Sequence, residues 1–274
     1  MAKAFSIVSW NVEHFKDDPS RVNRVVDFLN HKNGGNKPDI FALYEVEAAD
    51  VYTALVNKMP GYTFHITEGV QYQEILIGVK SNITAFFTQK DEFKTGNTYL
   101  RPGALLAVNM DNINYAILFL HTKSLTDAAG FGIRDEMLHR ATKFRKKLEK
   151  AMNVPEWSSK YLFTGDLNTM GLEYPYNKDI EAELELKRLK GRAGFYKMNI
   201  LTKNQPYTFF NGSGSNIPKS NLDHVVASSN MKFKQFNGCD VSVRGWVDQA
   251  TDAQKDNWIK NYSDHSLLYM EVQK

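Results

Sequence analysis

A chain of 274 residues, 42% hydrophobic and 24% charged, has the composition of an ordinary globular protein. A lone Cys239 excludes an internal disulfide framework and a multi-cysteine zinc site, and no apolar run approaches the roughly twenty residues a membrane-spanning helix needs. A net charge of +3 is too mild for a protein that coats nucleic acid. No repeat, low-complexity tract or Ser/Gly/Pro linker divides the chain, so residues 1–274 are read as one domain. The opening "MAKAFSIVSWNVEHF" has too short an apolar stretch for a signal peptide. These features fit a reducing cytoplasm, although a chain trimmed of its leader would read the same.

In chain order, "FSIVSW" (5–10) reads as a strand and 21–30 as a helix. "DIFALY" (39–44) is a strand followed by a helical stretch to Met59. "YTFHIT", "EILIGVK", "ITAFFTQ", "ALLAVNM" and "NYAILFL" then follow as strands separated by short turns. In "RDEMLHRATKFRKKLEK" (134–150), Ile133, Met137, Ala141, Phe144 and Leu148 recur every three to four residues, which predicts an amphipathic helix with a basic outer face. That face reads first as a solvated one and second as a contact for phosphate backbone. "YLFTG", a helical stretch over 178–190, and strands at "LDHVVAS" and "SLLYMEV" complete the chain. Strands in runs with helices at intervals predict a layered α/β or α+β domain.

The strands share one peculiarity. They run into Asn11, Glu45, His121, and the pair Asp166 and Asn168, while the last two open at Asp223 and just after Asp264 and His265. Each residue alone has a plain structural explanation, such as a turn former or a satisfied buried histidine. Strands pointing the same way would bring these ends to one sheet edge, provided the two that begin polar run antiparallel to the others. Glu45, Asp166, Asp264 and Asn11 are hard oxygen donors suited to Mg²⁺ or Mn²⁺, and the two histidines supply acid–base chemistry near neutral pH. That inventory suits phosphoryl chemistry.

The motifs "SWNVEHF", "ALYEV", "QEILIGVK", "LRPGALLAV", "LFLHTKS", "TGDLNT", "NLDHVVAS" and "YSDHSLLYMEV" stand in the order found in the endonuclease/exonuclease/phosphatase family, and the chain resembles that family over residues 9–271. The resemblance implies a four-layer α/β/β/α sandwich of the deoxyribonuclease I-like type. It implies Glu45 as the main Mg²⁺ (or Mn²⁺) ligand, with Asn11 and Asp264 beside it. Asp166 would orient or deprotonate the attacking water, Asn168 would hold that water or a phosphate oxygen, and His265 would pair with Asp223. His121 would contact the scissile phosphate with Glu74 orienting it. Arg101 and Arg134 would reach the substrate. Whether Asp166 or His265 is the general base stays open at this level.

The branch is set by residues outside the shared site. Ser220 and Asn221 stand where enzymes with an abasic-sugar pocket carry a bulky aromatic, and His121 stands where those enzymes carry Tyr. Phe209 and Phe210 therefore read as core residues. No apolar loop of the kind secreted sphingomyelinases bring to membranes is evident. The loop "NGSGSNIPKS" (211–220), with Lys219 and the basic helix, could meet a polyanion. The expectation is a monomeric, Mg²⁺-dependent endonuclease acting on nucleic acid, DNA in particular. The alternative is a phosphomonoesterase or phospholipid hydrolase of inositol-phosphate phosphatase or sphingomyelinase type.

Overall fold

The computed structural model describes residues 2–32, 37–69, 73–97 and 99–274. Two sheets face one another. The first contains β1 (Lys3–Phe15), β2 (Ile40–Glu47), β3 (Tyr62–Ile66), β4 (Gln73–Lys80), β11 (Lys232–Phe233) and β13 (Leu267–Gln273) in the order β11-β13-β1-β2-β4-β3, with β12 (Ser242–Arg244) also paired to β13. The second contains β5 (Thr84–Lys90), β6 (Gly103–Met110), β7 (Ile113–His121), β8 (Lys160–Asp166), β9 (Met198–Ile200) and β10 (Asp223–Ser228) in the order β5-β6-β7-β8-β10-β9.

Both faces of the central strands are apolar, the pattern of a sheet covered on two sides. Phe5, Ile7, Ala42, Ile77 and Met270 of the first sheet pack against Leu106, Ile117, Phe119, Leu162 and Val225 of the second. The alternate residues face outward. Val8, Trp10, Phe41 and Leu43 meet Val22 and Val25 of α1 (Pro19–Asp27), Val51 and Leu55 of α2 (Ala48–Lys58), and Trp258 of α5 (Asp252–Asn261). Leu118, Leu120, Tyr161 and Phe163 meet Leu138, Ala141 and Phe144 of α3 (Ala128–Met152) and Leu189 and Ala193 of α4 (Ala182–Phe195). The result is the four-layer α/β/β/α sandwich. Among the described residues, no helix is long and apolar enough to cross a membrane.

Local chemistry sets the helix ends. Asp18 caps α1 by accepting from the Ser20 and Arg21 N–H groups, with Pro19 in the first turn. Thr251 and Gln254 form a reciprocal capping box on α5. Helix α3 begins earlier than its apolar period suggests, because Asp127 caps it through the Gly130 N–H. Helix α4 runs through Gly191 and Gly194, which read as breakers in isolation but are held here by the packing of Leu189 and Ala193.

Arg134 corrects the sequence reading. It is fully buried, and all five guanidinium N–H groups are used. They donate to Glu185 (Nε–Oε1 2.7 Å, Nη2–Oε2 3.0 Å) and to the carbonyls of Lys123, Leu125 and Gly171. No donor is left for a phosphate, so Arg134 ties the loops after β7 and β8 to α4 instead. Removing one partner of a buried ion pair leaves the other uncompensated, at a typical cost of about 3 kcal/mol or more. Arg134→Ala should accordingly melt roughly 6–12 °C below the wild type, at about 2–4 °C per kcal/mol for a chain of this size. Arg134→Lys, with three donors for five acceptors, should melt early too. A substrate-contacting arginine would instead leave thermal melting unchanged and raise KM.

Candidate active site

The strand directions deliver the polar ends as expected. β1 and β2 are parallel and β13 is antiparallel to β1. β7 and β8 are parallel and β10 is antiparallel to β8, with His121, Asp166 and Asp223 in adjacent register. The ends converge from two sheets rather than along one edge, because Asn11, Glu45, Asp264 and His265 belong to the first sheet and the other three to the second.

Asn11 sits at the centre. Its Nδ2 donates to Glu45 Oε1 at 3.0 Å and to Asp166 Oδ2 at 2.9 Å, and its Oδ1 accepts the Glu13 N–H. Glu45 lies at a register shift in β2 and adopts φ +60°, a left-handed backbone unusual for a residue with a side chain. The kink turns its carboxylate into the cluster. His121 Nε2 is 3.8 Å from Glu45 Oε1 and 3.5 Å from Asp166 Oδ2. Gly165, at φ +149°, precedes Asp166, and a Cβ there would stand 1.8 Å from the Leu120 carbonyl oxygen, so only glycine lets β8 lie against β7 at this point. Asn168, at φ +45°, donates its N–H to Asp166 Oδ1 at 3.1 Å and its amide to the Thr122 carbonyl.

On the other side, His265 Nδ1 lies 2.8 Å from Asp223 Oδ2, and its Nε2 points toward Asp166 Oδ2 at 3.8 Å and Asp264 Oδ1 at 4.0 Å. Phe209 packs on the His265 ring at 5.1 Å, so it lines the site while Phe210 enters the core. Asp264 stands at the rim, its Oδ1 3.4 Å from Ser263 Oγ. Arg101 donates to the Gln73 carbonyl and side chain.

Glu74 corrects the second expectation. Its carboxylate accepts from Thr67 Oγ1, and no hydrogen bond or ion pair joins it to His121, whose buried Nδ1 has no partner among the described residues. Thr67 lies across the β3–β4 pairing, a contact that spacing alone does not reveal. Lys203, Thr208 and Ser263 also escape sequence reading. Thr208 Oγ1 accepts the Asp223 N–H, Lys203 Nζ donates to the Asp223 carbonyl, and Ser263 Oγ donates to the Asn11 carbonyl. Ser263 lies within the motif "YSDHSLLYMEV" with no role implied for it there, and Lys203 and Thr208 lie outside the motifs.

Burial divides the titrating groups. Desolvation pushes the Asp166 carboxyl up to about 7, reinforced by the nearby Asp223 and Glu45 charges and opposed by His265 and the Asn11 amide. Desolvation likewise lifts Asp264 to about 6. Burial opposes charge on His265, but Asp223, Asp166 and Asp264 together outweigh it and hold the imidazole well above its usual range. Burial, then the positive charges of Arg101 and His265, push His121 well below it, so His121 is neutral.

A divalent cation fits this arrangement. Donor atoms of Glu45, His121 and Asp166 lie within 4.8 Å of one another, as do those of Asp166, Asp223 and His265. Carboxylates outnumber cationic groups, and Asp166 and Asp264 are raised first by burial and then by neighbouring carboxylates, both of which a divalent cation would offset. Asn11 presents its amide nitrogen to these carboxylates; half a turn about χ2 would present oxygen instead.

Beside this cluster, starting at Thr169 and Asn221, an open groove of about 1530 Å³ runs between residues 172–191 and 206–221. Tyr174 and Tyr176 stand exposed on the loop closed by the Leu172–Ile180 bridge, an aromatic pair that the sequence reading passed over.

No curated protein matches the chain. Solved structures with the same fold include TDP2 from Caenorhabditis elegans, at TM-score 0.67 and 16% identity, covering 98% of this chain and 75% of that one. A 3' phosphatase, NExo from Neisseria, solved with a product DNA hairpin, aligns at TM-score 0.64 and 16% identity over 99% of this chain and 100% of that one. A mannosyl-6-phosphatase from Bacteroides thetaiotaomicron aligns at 0.59 and 14% identity over 98% and 100%. The family model for the Endonuclease/Exonuclease/phosphatase family matches residues 8–265. Joined to the convergent strand ends, that match makes the chain a member of the endonuclease/exonuclease/phosphatase family, whose enzymes are metal-dependent hydrolases of phosphoester bonds.

Proposed function

We propose that this protein is a Mg²⁺-dependent phosphodiesterase that cleaves DNA by in-line attack of water on phosphate. The observation that carries the reading is the cluster of Asn11, Glu45 and Asp166 facing the His265–Asp223 pair across one small space. Glu45 and Asn11, with Asp264 nearby, would hold the cation, which supplies Lewis acidity and charge neutralisation at the phosphate. Asp166, ionising near neutrality, is placed to accept a proton from water that Asn168 helps orient. His265, kept protonated by Asp223, is a charged donor rather than a base, and neutral His121 donates from the opposite side. Arg101 supplies positive charge to the substrate.

DNA as substrate draws support from the solved NExo complex with its product DNA hairpin. The basic helix does not add to it. Arg140 is engaged by Glu136 and the Glu92 carbonyl, and Lys147 and Lys146 pair with Glu92 and Glu156. The groove favours a second reading, a phosphomonoesterase acting on a small hydroxyl-bearing substrate. Glu173, Asp179, Glu181 and Glu183 line it beside Lys187, Lys190 and Lys219, a wall with no excess of positive charge for a long polyanion.

Incubation with supercoiled plasmid, single-stranded oligonucleotide, inositol phosphates and mannose 6-phosphate separates the two. Plasmid and oligonucleotide should be cut with Mg²⁺ or Mn²⁺ and left intact in EDTA, and Glu45→Gln should lose roughly a hundredfold or more in turnover while folding normally. Phosphate release from the small esters with DNA left whole would replace the nuclease reading by the phosphatase one.

The pH dependence of stability tests the buried carboxylate. In EDTA, folded Asp166 binds a proton up to about pH 7, whereas the unfolded group releases it near 3.8, so the fold loses stability as pH rises between those values. Asp166→Asn should match the wild type near pH 4 and melt several degrees above it at pH 8, although it is inactive. Saturating Mg²⁺ should raise the melting temperature of the wild type at pH 8 more than that of the variant. Equal melting temperatures at pH 8 in EDTA would contradict the assignment.

For the histidine pair, His265→Ala should cut turnover by roughly a hundredfold or more with little change in KM. Asp223→Asn should also be damaging, and the double variant scarcely worse than His265→Ala alone, since the two act as a unit. Folded His265→Ala protein with near-normal turnover would exclude the catalytic role.

A further inference from the structure

We infer that Gln73 is a positioning residue that couples the phosphate-facing arginine to the metal-facing carboxylate, an assignment that rests on the phosphodiesterase reading above. Gln73 opens β4, opposite Glu47 at the end of β2, two residues past the kink that carries Glu45. Its main-chain carbonyl accepts Arg101 Nε at 2.7 Å, and its side-chain Oε1 accepts Arg101 Nη2. One residue thus fixes two edges of the guanidinium. Its Nε2 donates to His14 Nδ1 at 2.6 Å and faces Glu45 Oε2 at 3.5 Å, while the His14 N–H donates to that same oxygen at 3.1 Å. The outer oxygen of Glu45 is therefore held by Gln73 and His14, and its inner oxygen is left to Asn11 and the cluster.

An amide suits this place and a carboxylate does not. Among the described residues no carboxylate forms an ion pair with Arg101, so the guanidinium meets substrate with its charge uncompensated at contact distance. A glutamate at position 73 would neutralise Arg101 directly and repel Glu45. The amide holds both groups, one by its oxygen and one by its nitrogen, without adding charge.

Two measurements test this. Calorimetric titration of the substrate-free protein with Mn²⁺ should show about tenfold weaker binding in Gln73→Ala, the loss expected when one hydrogen bond to a charged group goes. Arg101→Ala should not weaken Mn²⁺ binding. With bis(p-nitrophenyl) phosphate at saturating Mg²⁺, Gln73→Ala and Arg101→Ala should each raise KM about tenfold with a smaller effect on kcat, and the double variant should match Arg101→Ala within about a factor of two. Gln73→Glu, equal in size, should raise KM as well. Wild-type Mn²⁺ affinity in Gln73→Ala, wild-type KM in Gln73→Glu, or additive effects in the double variant would overturn the inference. If the wild type hydrolyses no phosphodiester, the substrate reading fails, and the calorimetry alone decides whether Gln73 sets Glu45.

Discussion

The amide of Asn11 donates at once to a carboxylate from each sheet, Glu45 at 3.0 Å and Asp166 at 2.9 Å, and the site is arranged around that bridge. Two sheets packed face to face share an apolar core with no inherent preference for alignment at their polar ends. Asn11 provides it, because β1 lies between β2 and β13 and so between Glu45 and the Ser263–His265 segment. Ser263 donates to the Asn11 carbonyl and Trp10 Nε1 to the His265 carbonyl, so the end of β1 organises both walls of the first sheet. Behind the site, the buried Tyr44 hydroxyl is within hydrogen-bonding distance of Ser9 Oγ and donates to the Thr164 carbonyl, a second polar link between the sheets. Both links are buried, where an unmade hydrogen bond is expensive, so they fix the relative position of the sheets more sharply than apolar contact does.

The same burial separates chemically similar groups. His121 and His265 occupy one small space, yet one is held neutral and the other protonated. Asp223 at 2.8 Å makes the difference for His265, whereas His121 Nδ1 has no partner among the described residues and the cationic neighbours oppose its charging. Burial, then the neighbouring carboxylates, raise the Asp166 carboxyl to about 7, the range that the proposed proton acceptor needs. A dicarboxylate site open to water would show none of these contrasts.

Most of this cluster is legible in the sequence because an apolar run stops on Asn11, Glu45, His121 or Asp166, although β1 continues to Phe15 and β2 to Glu47. The strand directions follow as well, since Asp223 opens its strand and His265 precedes its own, and those strands must run the other way to join. Period-2 alternation cannot tell which strands share a sheet, so the meeting of two sheets is invisible until the fold is seen. Arg134 shows a second limit. A basic residue near a helix start looks solvent-facing until Glu185, fifty-one residues later, is found against it. Glu74 fails as a histidine partner for the same reason, because Thr67 takes its carboxylate across a strand pair. The left-handed backbone of Glu45 is likewise a consequence of packing that no residue preference announces, whereas that of Asn168 falls on a residue type that adopts it readily.

The chemistry of the cluster extends only as far as the phosphate, so the choice of substrate falls to the walls beyond it. Those walls come from segments with no strand of their own at the site, residues 172–191 and 206–221. Their lysines are interspersed with glutamates and an aspartate, which removes the continuous positive potential that usually steers a polyanion. Tyr207 and Ile217 stand exposed along the same groove. A wall of that kind would recognise the flat or apolar faces of what is attached to the phosphate, by stacking and contact area, and on the proposed reading it would leave charge recognition to Arg101 and His265 at the centre. On that reading substrate selection and catalysis would fall to different parts of the chain, so that motifs shared across the family would specify the reaction and leave the leaving group to be read from the groove.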